Sequence, residues 1–237
     1  INITDQNNVP LPGLTVGDFQ IIENGLPANL VSVTSISTPV PISVAMVLDY
    51  SGSMQSQLPT LEAASIKFTT YLNPNDDEAS IIKFAQFHQL MQDFTGDSAL
   101  LTTAINTAPT EIGLSETHLY DTLWFAVDTT AVRLKHKAIV MVSDGKDEIT
   151  NGNPASVKTL DEVIAYATEN NVAIYTVGLG NVDGGVMNRL AVETGGQYYY
   201  MTNIDELEAV YRAISDILLG QYSVKYDTSS TGGSLIT

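Results

Sequence analysis

Cysteine is absent from this sequence, which removes disulfides, thiolate metal sites and cysteine nucleophiles together and leaves the redox compartment open. Positive charge is scarce: 10 Lys and Arg stand against 27 Asp and Glu, no Lys or Arg precedes Lys67, and the formal net charge is −17. Such a surface repels phosphate backbones and anionic headgroups, so nucleic acid is not expected as a partner. Long apolar runs are missing too. The longest, residues 44–48, is far too short to span a bilayer, and no direct membrane insertion is expected. His88, His118 and His136 share no ligand spacing, which argues against a histidine-based metal site. The chain opens at Ile1 rather than Met and carries no visible signal peptide, so it reads as a processed or excised piece of something longer. Few Lys, many Ser, Thr and Asn and no Cys suit an exported bacterial protein, with an extracellular or cell-surface location.

What is present is ample apolar material: 44% hydrophobic against 16% charged residues, enough to bury a core and to exclude disorder. Strand-like fragments occupy the first forty residues. Residues 19–22 precede Glu23-Asn24-Gly25, and residues 30–36 follow with alternating Val, Ser and Thr, a pattern that predicts a hairpin across the Asn-Gly pair. Pro39 and Pro41 then mark a change of character. Short apolar runs at 44–48, 79–84, 138–142 and 172–177 alternate with helical patterns at 58–72, 119–134, 157–169 and 204–219. Runs of this kind suit strands of a parallel sheet covered on both faces. The expected fold is therefore α/β, a doubly wound, mostly parallel open sheet flanked by helices. Residues 222–226 alternate again as Tyr222, Val224 and Tyr226, and are expected to pair with the N-terminal segment as a small β accessory. The organisation this predicts is a β accessory hairpin at 1–40, the main domain at 41–220, and a terminal strand with a flexible tail at 221–237.

In such a sheet, ligands gather beyond the carboxyl ends of the strands. The first apolar run ends in Asp49-Tyr50-Ser51-Gly52-Ser53, and a later one ends in Ser143-Asp144-Gly145. Asp49, Ser51 and Ser53 alternate on a turn leaving a strand, so their oxygens can converge, and Thr117 and Asp144 can reach the same point from neighbouring loops. Hydroxyl and carboxylate oxygens are hard donors that suit Mg²⁺, Mn²⁺ or Ca²⁺ rather than zinc or copper. Neutral hydroxyls with few direct carboxylates leave such an ion electrophilic and able to accept a carboxylate from another molecule. The competing explanation is that Asp49, Ser51 and Ser53 only cap the following helix and turn. That leaves Thr117 and Asp144 unexplained.

Asp49-x-Ser51-x-Ser53, followed by Thr117 and then Asp144-Gly145, resembles the metal-ion-dependent adhesion site of von Willebrand factor type A domains, and the resemblance runs over residues 42–220. It implies that Ser51 and Ser53 hold a metal, most naturally Mg²⁺, directly. Thr117 would act directly or through water, and Asp49 and Asp144 largely through water. The segment from Leu14 to Gly25 also looks like the lead-in of secreted bacterial proteins bearing this domain. What the resemblance implies is a non-enzymatic adhesion or assembly module whose protein partner supplies the carboxylate. Integrin-like members shift their last helix, for which residues 204–219 are the counterpart here. Asp147 and Glu148 are expected as an acidic rim that favours carboxylates flanked by basic residues. The alternatives are a structural domain of a large exported protein with a stabilising metal, and a metal-dependent hydrolase. The hydrolase lacks the usual second carboxylate two residues after Asp49, where Ser51 stands, and no Gly-x-Ser-x-Gly is present at 49–53. The sequence leaves the oligomeric state unknown.

Overall fold

The computed structural model describes residues 3, 11, 13–35, 40–110, 112, 113, 116–149, 153–219 and 222–227. Its elements in chain order are β1 (Ile22–Glu23), β2 (Leu26–Pro27), β3 (Asn29–Ser35), β4 (Ile42–Asp49), α1 (Leu58–Thr69), β5 (Glu78–Phe84), β6 (His88–Thr95), α2 (Ser98–Asn106), α3 (Leu119–Ala131), β7 (His136–Ser143), α4 (Leu160–Glu169), β8 (Ala173–Leu179), α5 (Gly184–Glu193), β9 (Tyr198–Met201), α6 (Leu207–Leu219) and β10 (Tyr222–Asp227). They divide into one unit of Pro41–Arg212 and another of Ile1–Val40 with Ala213–Thr237.

In the larger unit the apolar runs become central strands because every residue of β4 and β5 is buried, as parallel strands covered on both faces require. The six-stranded sheet has the order β6-β5-β4-β7-β8-β9. All its neighbours are parallel except β5 and β6, which run antiparallel. The α/β architecture expected above is the one observed. One face is a core of Ala45, Val47, Ile82, Ile139, Met141 and Ile174 packed against Leu123 and Val127 of α3, Val163 of α4 and Met187 of α5. On the opposite side α1 meets the first half of α6, where Phe68 and Tyr211 lie 5.1 Å apart by ring centroid and the Ser65 and Tyr211 hydroxyls are 3.3 Å apart.

Caps set the helix boundaries where periodicity alone extends them. The pattern at 157–169 becomes a helix only from Leu160, because Thr159 accepts from the Glu162 N–H while the Glu162 carboxylate accepts from the Thr159 N–H. The pattern at 204–219 opens with a single 3₁₀ turn under Asn203, whose side chain accepts from the Asp205 N–H.

In the smaller unit the Asn-Gly hairpin is shorter than its sequence pattern suggests. Asn24 and Gly25 both have positive φ, 51° and 79°, as a two-residue I′-type turn demands, and pair only Ile22–Glu23 with Leu26–Pro27. One further backbone bond, from the Ala28 N–H to the Ile21 carbonyl at 2.9 Å, closes the hairpin beyond Pro27. Strand β3 instead pairs antiparallel with β10, from Ser35 opposite Tyr222 to Asn29 opposite Asp227, which is the accessory pairing anticipated for residues 222–226. The tail at 228–237 lies outside the described residues.

Candidate metal centre

The register of the sheet builds the site. Leu48 of β4 is paired with Val142 of β7, so Asp49 and Ser143 leave the sheet side by side. The Ser143 hydroxyl donates to Asp49 Oδ2 at 2.6 Å, and Asp49 Oδ1 accepts from the Ser51 N–H at 2.8 Å. This crevice is also where the chain changes direction, since β4 is followed by β5 on one side and flanked by β7 on the other. Asp49 is fully buried, and burial pushes its carboxyl up to about 6 against the lowering effect of the Ser143 and Ser51 hydrogen bonds, with Asp144 adding a smaller upward push.

The turn after Asp49 brings the hydroxyls inward. Ser51 stands at the head of the 3₁₀ segment Gly52–Gln57 but makes no side-chain cap, which removes the capping explanation for this residue. Its Oγ lies 3.1 Å from Ser53 Oγ, and Ser53 Oγ in turn donates to Asp144 Oδ2 at 3.1 Å. Oxygens bound to Mg²⁺ at about 2.1 Å in an octahedron sit about 3.0 Å from their neighbours, so each of these two contacts is compatible with adjacent ligands. Hard oxygens, a buried carboxylate and this spacing fit a small divalent cation. Among the described residues no cluster of three or more Asp, Glu or His side chains gathers that would hold a metal by carboxylates or imidazoles alone.

Four of the five expected residues, Asp49, Ser51, Ser53 and Asp144, are thus joined in one chain of contacts. Thr117 is held by backbone between the Asp144 loop and the end of β5: its N–H donates to the Glu148 carbonyl at 3.0 Å, and the next N–H, of His118, donates to the Ala85 carbonyl at 2.9 Å. Among the described residues the Thr117 hydroxyl forms no hydrogen bond to the other four. The His118 ring turns outward to Glu116, 3.0 Å away.

One residue of the Asp144 loop departs from expectation and another was not anticipated. Asp147 is not a rim charge: its carboxylate accepts from the backbone of Leu119 and Tyr120 at the start of α3 and from Ala155 and Ser156, and is spent on holding the loops together. Lys146 was not singled out from sequence, yet its ammonium lies 3.3 Å from Asp144 Oδ2. The signal available was its position two residues after an Asp, where an Asp-Gly turn folds the chain back. Beside Tyr50 a cleft of about 700 Å³ opens, lined among others by Gln55, Leu58, Glu62, Pro109 and Ile112.

Comparison with known proteins agrees with the topology. The profile of the von Willebrand factor type A domain matches residues 43–213. Among solved structures, the chain is similar to the vWF domain of the type V pili tip protein Mfa5 from Porphyromonas gingivalis, with TM-score 0.59 and 16% identity over 76% of this chain and 95% of that one. It is similar to BatB from Bacteroides thetaiotaomicron, with TM-score 0.57 and 16% identity over 74% and 98% of the respective chains. It also resembles the PilB minor pilin from Streptococcus sanguinis, with TM-score 0.57 and 17% identity over 76% of this chain and 61% of that one. At these identities the likeness speaks for the fold. No curated protein sequence matches the chain.

Proposed function

The chain belongs to the von Willebrand factor type A family, and from that premise we propose that it is a binding module in which Asp49, Ser51, Ser53, Thr117 and Asp144 hold a divalent cation that receives a carboxylate from a protein partner. Mg²⁺ is the first choice of ion, with Mn²⁺ and Ca²⁺ as alternatives. When bound, the ion supplies an electrophilic centre for an incoming oxygen. The protein's part is to present hydroxyls rather than further carboxylates, which leaves the ion's charge under-compensated.

The observation that carries this reading is the pair of 3.1 Å contacts, Ser51 Oγ to Ser53 Oγ and Ser53 Oγ to Asp144 Oδ2, at the adjoining ends of β4 and β7. The cleft lined by Tyr50, the residue after Asp49 in the chain, would offer a partner segment a second place to dock. With a net charge of −17, a partner whose carboxylate is flanked by basic residues is favoured over a uniformly acidic one. In this reading the role is one of binding, because Ser51 stands where a phosphatase-type hydrolase carries its second carboxylate two residues after Asp49. A pilus tip protein and a minor pilin among the structural neighbours accord with a cell-surface or extracellular setting.

Calorimetric titration of Mg²⁺ and Mn²⁺ tests the site. Binding to the native chain is expected, with a loss of more than about tenfold in affinity for Asp144→Ala and Thr117→Ala. No binding to the native chain would overturn the metal site. Binding of metal without chelator-sensitive capture of a surface partner would assign the ion a structural role instead.

A further inference from the structure

The turn Ser143-Asp144-Gly145-Lys146 is built to hold a cation of the protein's own over the metal centre. Gly145 has φ +76°, which folds the chain back so that the Lys146 N–H donates to Asp144 Oδ1 at 3.2 Å. The same fold-back lays the side chain along the carboxylate, and Lys146 Nζ donates to Asp144 Oδ2 at 3.3 Å. That oxygen also accepts from Ser53 and is one corner of the three-oxygen arrangement described above. The Asp144 side chain is 9% exposed and that of Lys146 is 30% exposed, so the pair sits at the boundary between the pocket and water. Among the described residues Lys146 is the one cationic side chain paired with any of the five site residues.

We infer that Lys146 is an internal counter-cation of this centre, occupying Asp144 Oδ2 in competition with the divalent ion and lowering the affinity with which the ion is held. The inference rests on the metal-binding reading above and adds a determinant of its strength. The physical argument is charge balance. Without Lys146, the Asp144 charge would add to that of the buried Asp49 carboxylate with no cation paired to either, which costs free energy that a divalent ion would relieve. Lys146 relieves part of it in advance. A divalent ion held at the site, with Asp144 bound to it directly or through water, would repel an ammonium 3.3 Å from Asp144 Oδ2, so Lys146 would turn out to water to admit it. Its partial exposure and flexible four-carbon stem make that exit possible, and they also make the competition modest and dependent on salt.

The test compares the native chain with Lys146→Gln and Lys146→Arg by calorimetric titration of Mg²⁺ and Mn²⁺ alone, at low and at high NaCl. Lys146→Gln is expected to bind the ions about three- to tenfold more tightly at low salt, with the gain shrinking as NaCl is raised, while Lys146→Arg keeps an affinity near the native one. Melting in chelator gives a second readout. Lys146→Gln should melt at or below the native temperature without metal, yet show the larger upward shift when Mg²⁺ is added. Equal or weaker ion binding by a folded Lys146→Gln, with the native chain binding normally, overturns this inference alone. Failure of both chains to bind either ion overturns the metal-binding reading with it.

Discussion

Gly145 shows how much of this centre depends on one residue's backbone. Its φ of +76° lies in the left-handed region, and a Cβ there would stand 2.7 Å from Met187 Cγ and 3.2 Å from the Asp183 carbonyl oxygen. Both terms act against any side chain. Gly145→Ala is expected to lower stability by about 2–4 kcal/mol, the sum of left-handed strain and overpacking, measured by urea unfolding. A loss below about 0.5 kcal/mol would mean that the turn relaxes freely. At this scale Asp49, Ser51, Ser53, Thr117 and Asp144 were named from their places at strand ends and loops and from the family resemblance, and the structure joins all but Thr117 in contact. What spacing did not reveal was the use each loop makes of its neighbours. Asp147 reads as surface charge because a linear sequence does not show that five donors converge on it from two other segments.

Those donors make Asp147 an element-scale device. Helix α3 begins after His118, which offers no side-chain cap, and the first free N–H groups of the helix are met by Asp147 from the loop beyond β7. The same carboxylate binds the Ser156 hydroxyl and N–H, so one side chain ties the Thr117 loop, the Asp144 loop and the approach to α4. Asp147→Ala leaves several buried donors without an acceptor and is expected to cost about 1–3 kcal/mol in denaturant unfolding. It should also weaken Mg²⁺ binding by about tenfold through misplacement of Thr117. Unchanged Mg²⁺ affinity in a destabilised variant would limit Asp147 to capping. Among the elements, the four central strands were readable because burial on both faces keeps their middles mostly apolar, with Ser80 and Lys83 of β5 and Thr176 of β8 as buried polar exceptions. Strand β6 was not. It is the antiparallel edge, its burial alternates irregularly, and its register slips twice against β5, so His88-Gln89-Leu90-Met91-Gln92 carries neither a clean period of two nor an apolar run. Helices α2 and α5 are short and begin under Asp97 and Asp183, caps that say where a helix starts only once its existence is known.

Across the whole molecule, an excess of 17 negative charges means that each cation has many carboxylates available, and where cations cluster they mark a structural demand. The densest cluster lies away from the Asp49–Asp144 site, at the start of β5. There Arg133 donates to both Glu78 oxygens at 2.8 Å, Lys135 lies 3.4 Å away, and the Ser43 hydroxyl of the adjacent strand donates at 2.6 Å. Burial pushes the Glu78 carboxyl up, but the hydrogen bonds and charges of Arg133, Ser43 and Lys135 outweigh it and hold the group below its ordinary value of 4.5. A native value below the unfolded one means that the unfolded chain binds the proton more readily. The stability contributed by Glu78 is therefore complete above pH 4.5 and declines as the pH falls through the lowered native value. Acid also neutralises surface carboxylates and relieves their mutual repulsion, so the raw stability profile mixes two opposing trends. The difference between the native chain and Glu78→Gln cancels the second. At neutral pH that difference is expected to be about 1–3 kcal/mol in favour of the native chain, because Gln leaves Arg133 and Lys135 without a counter-charge. On acidification it should narrow steadily, the native Glu78 becoming neutral like its replacement. Urea unfolding of both chains from neutral pH down to the acid limit of folding measures it, and a difference that stays constant below pH 4.5 would show that the cluster draws nothing from the charge of Glu78.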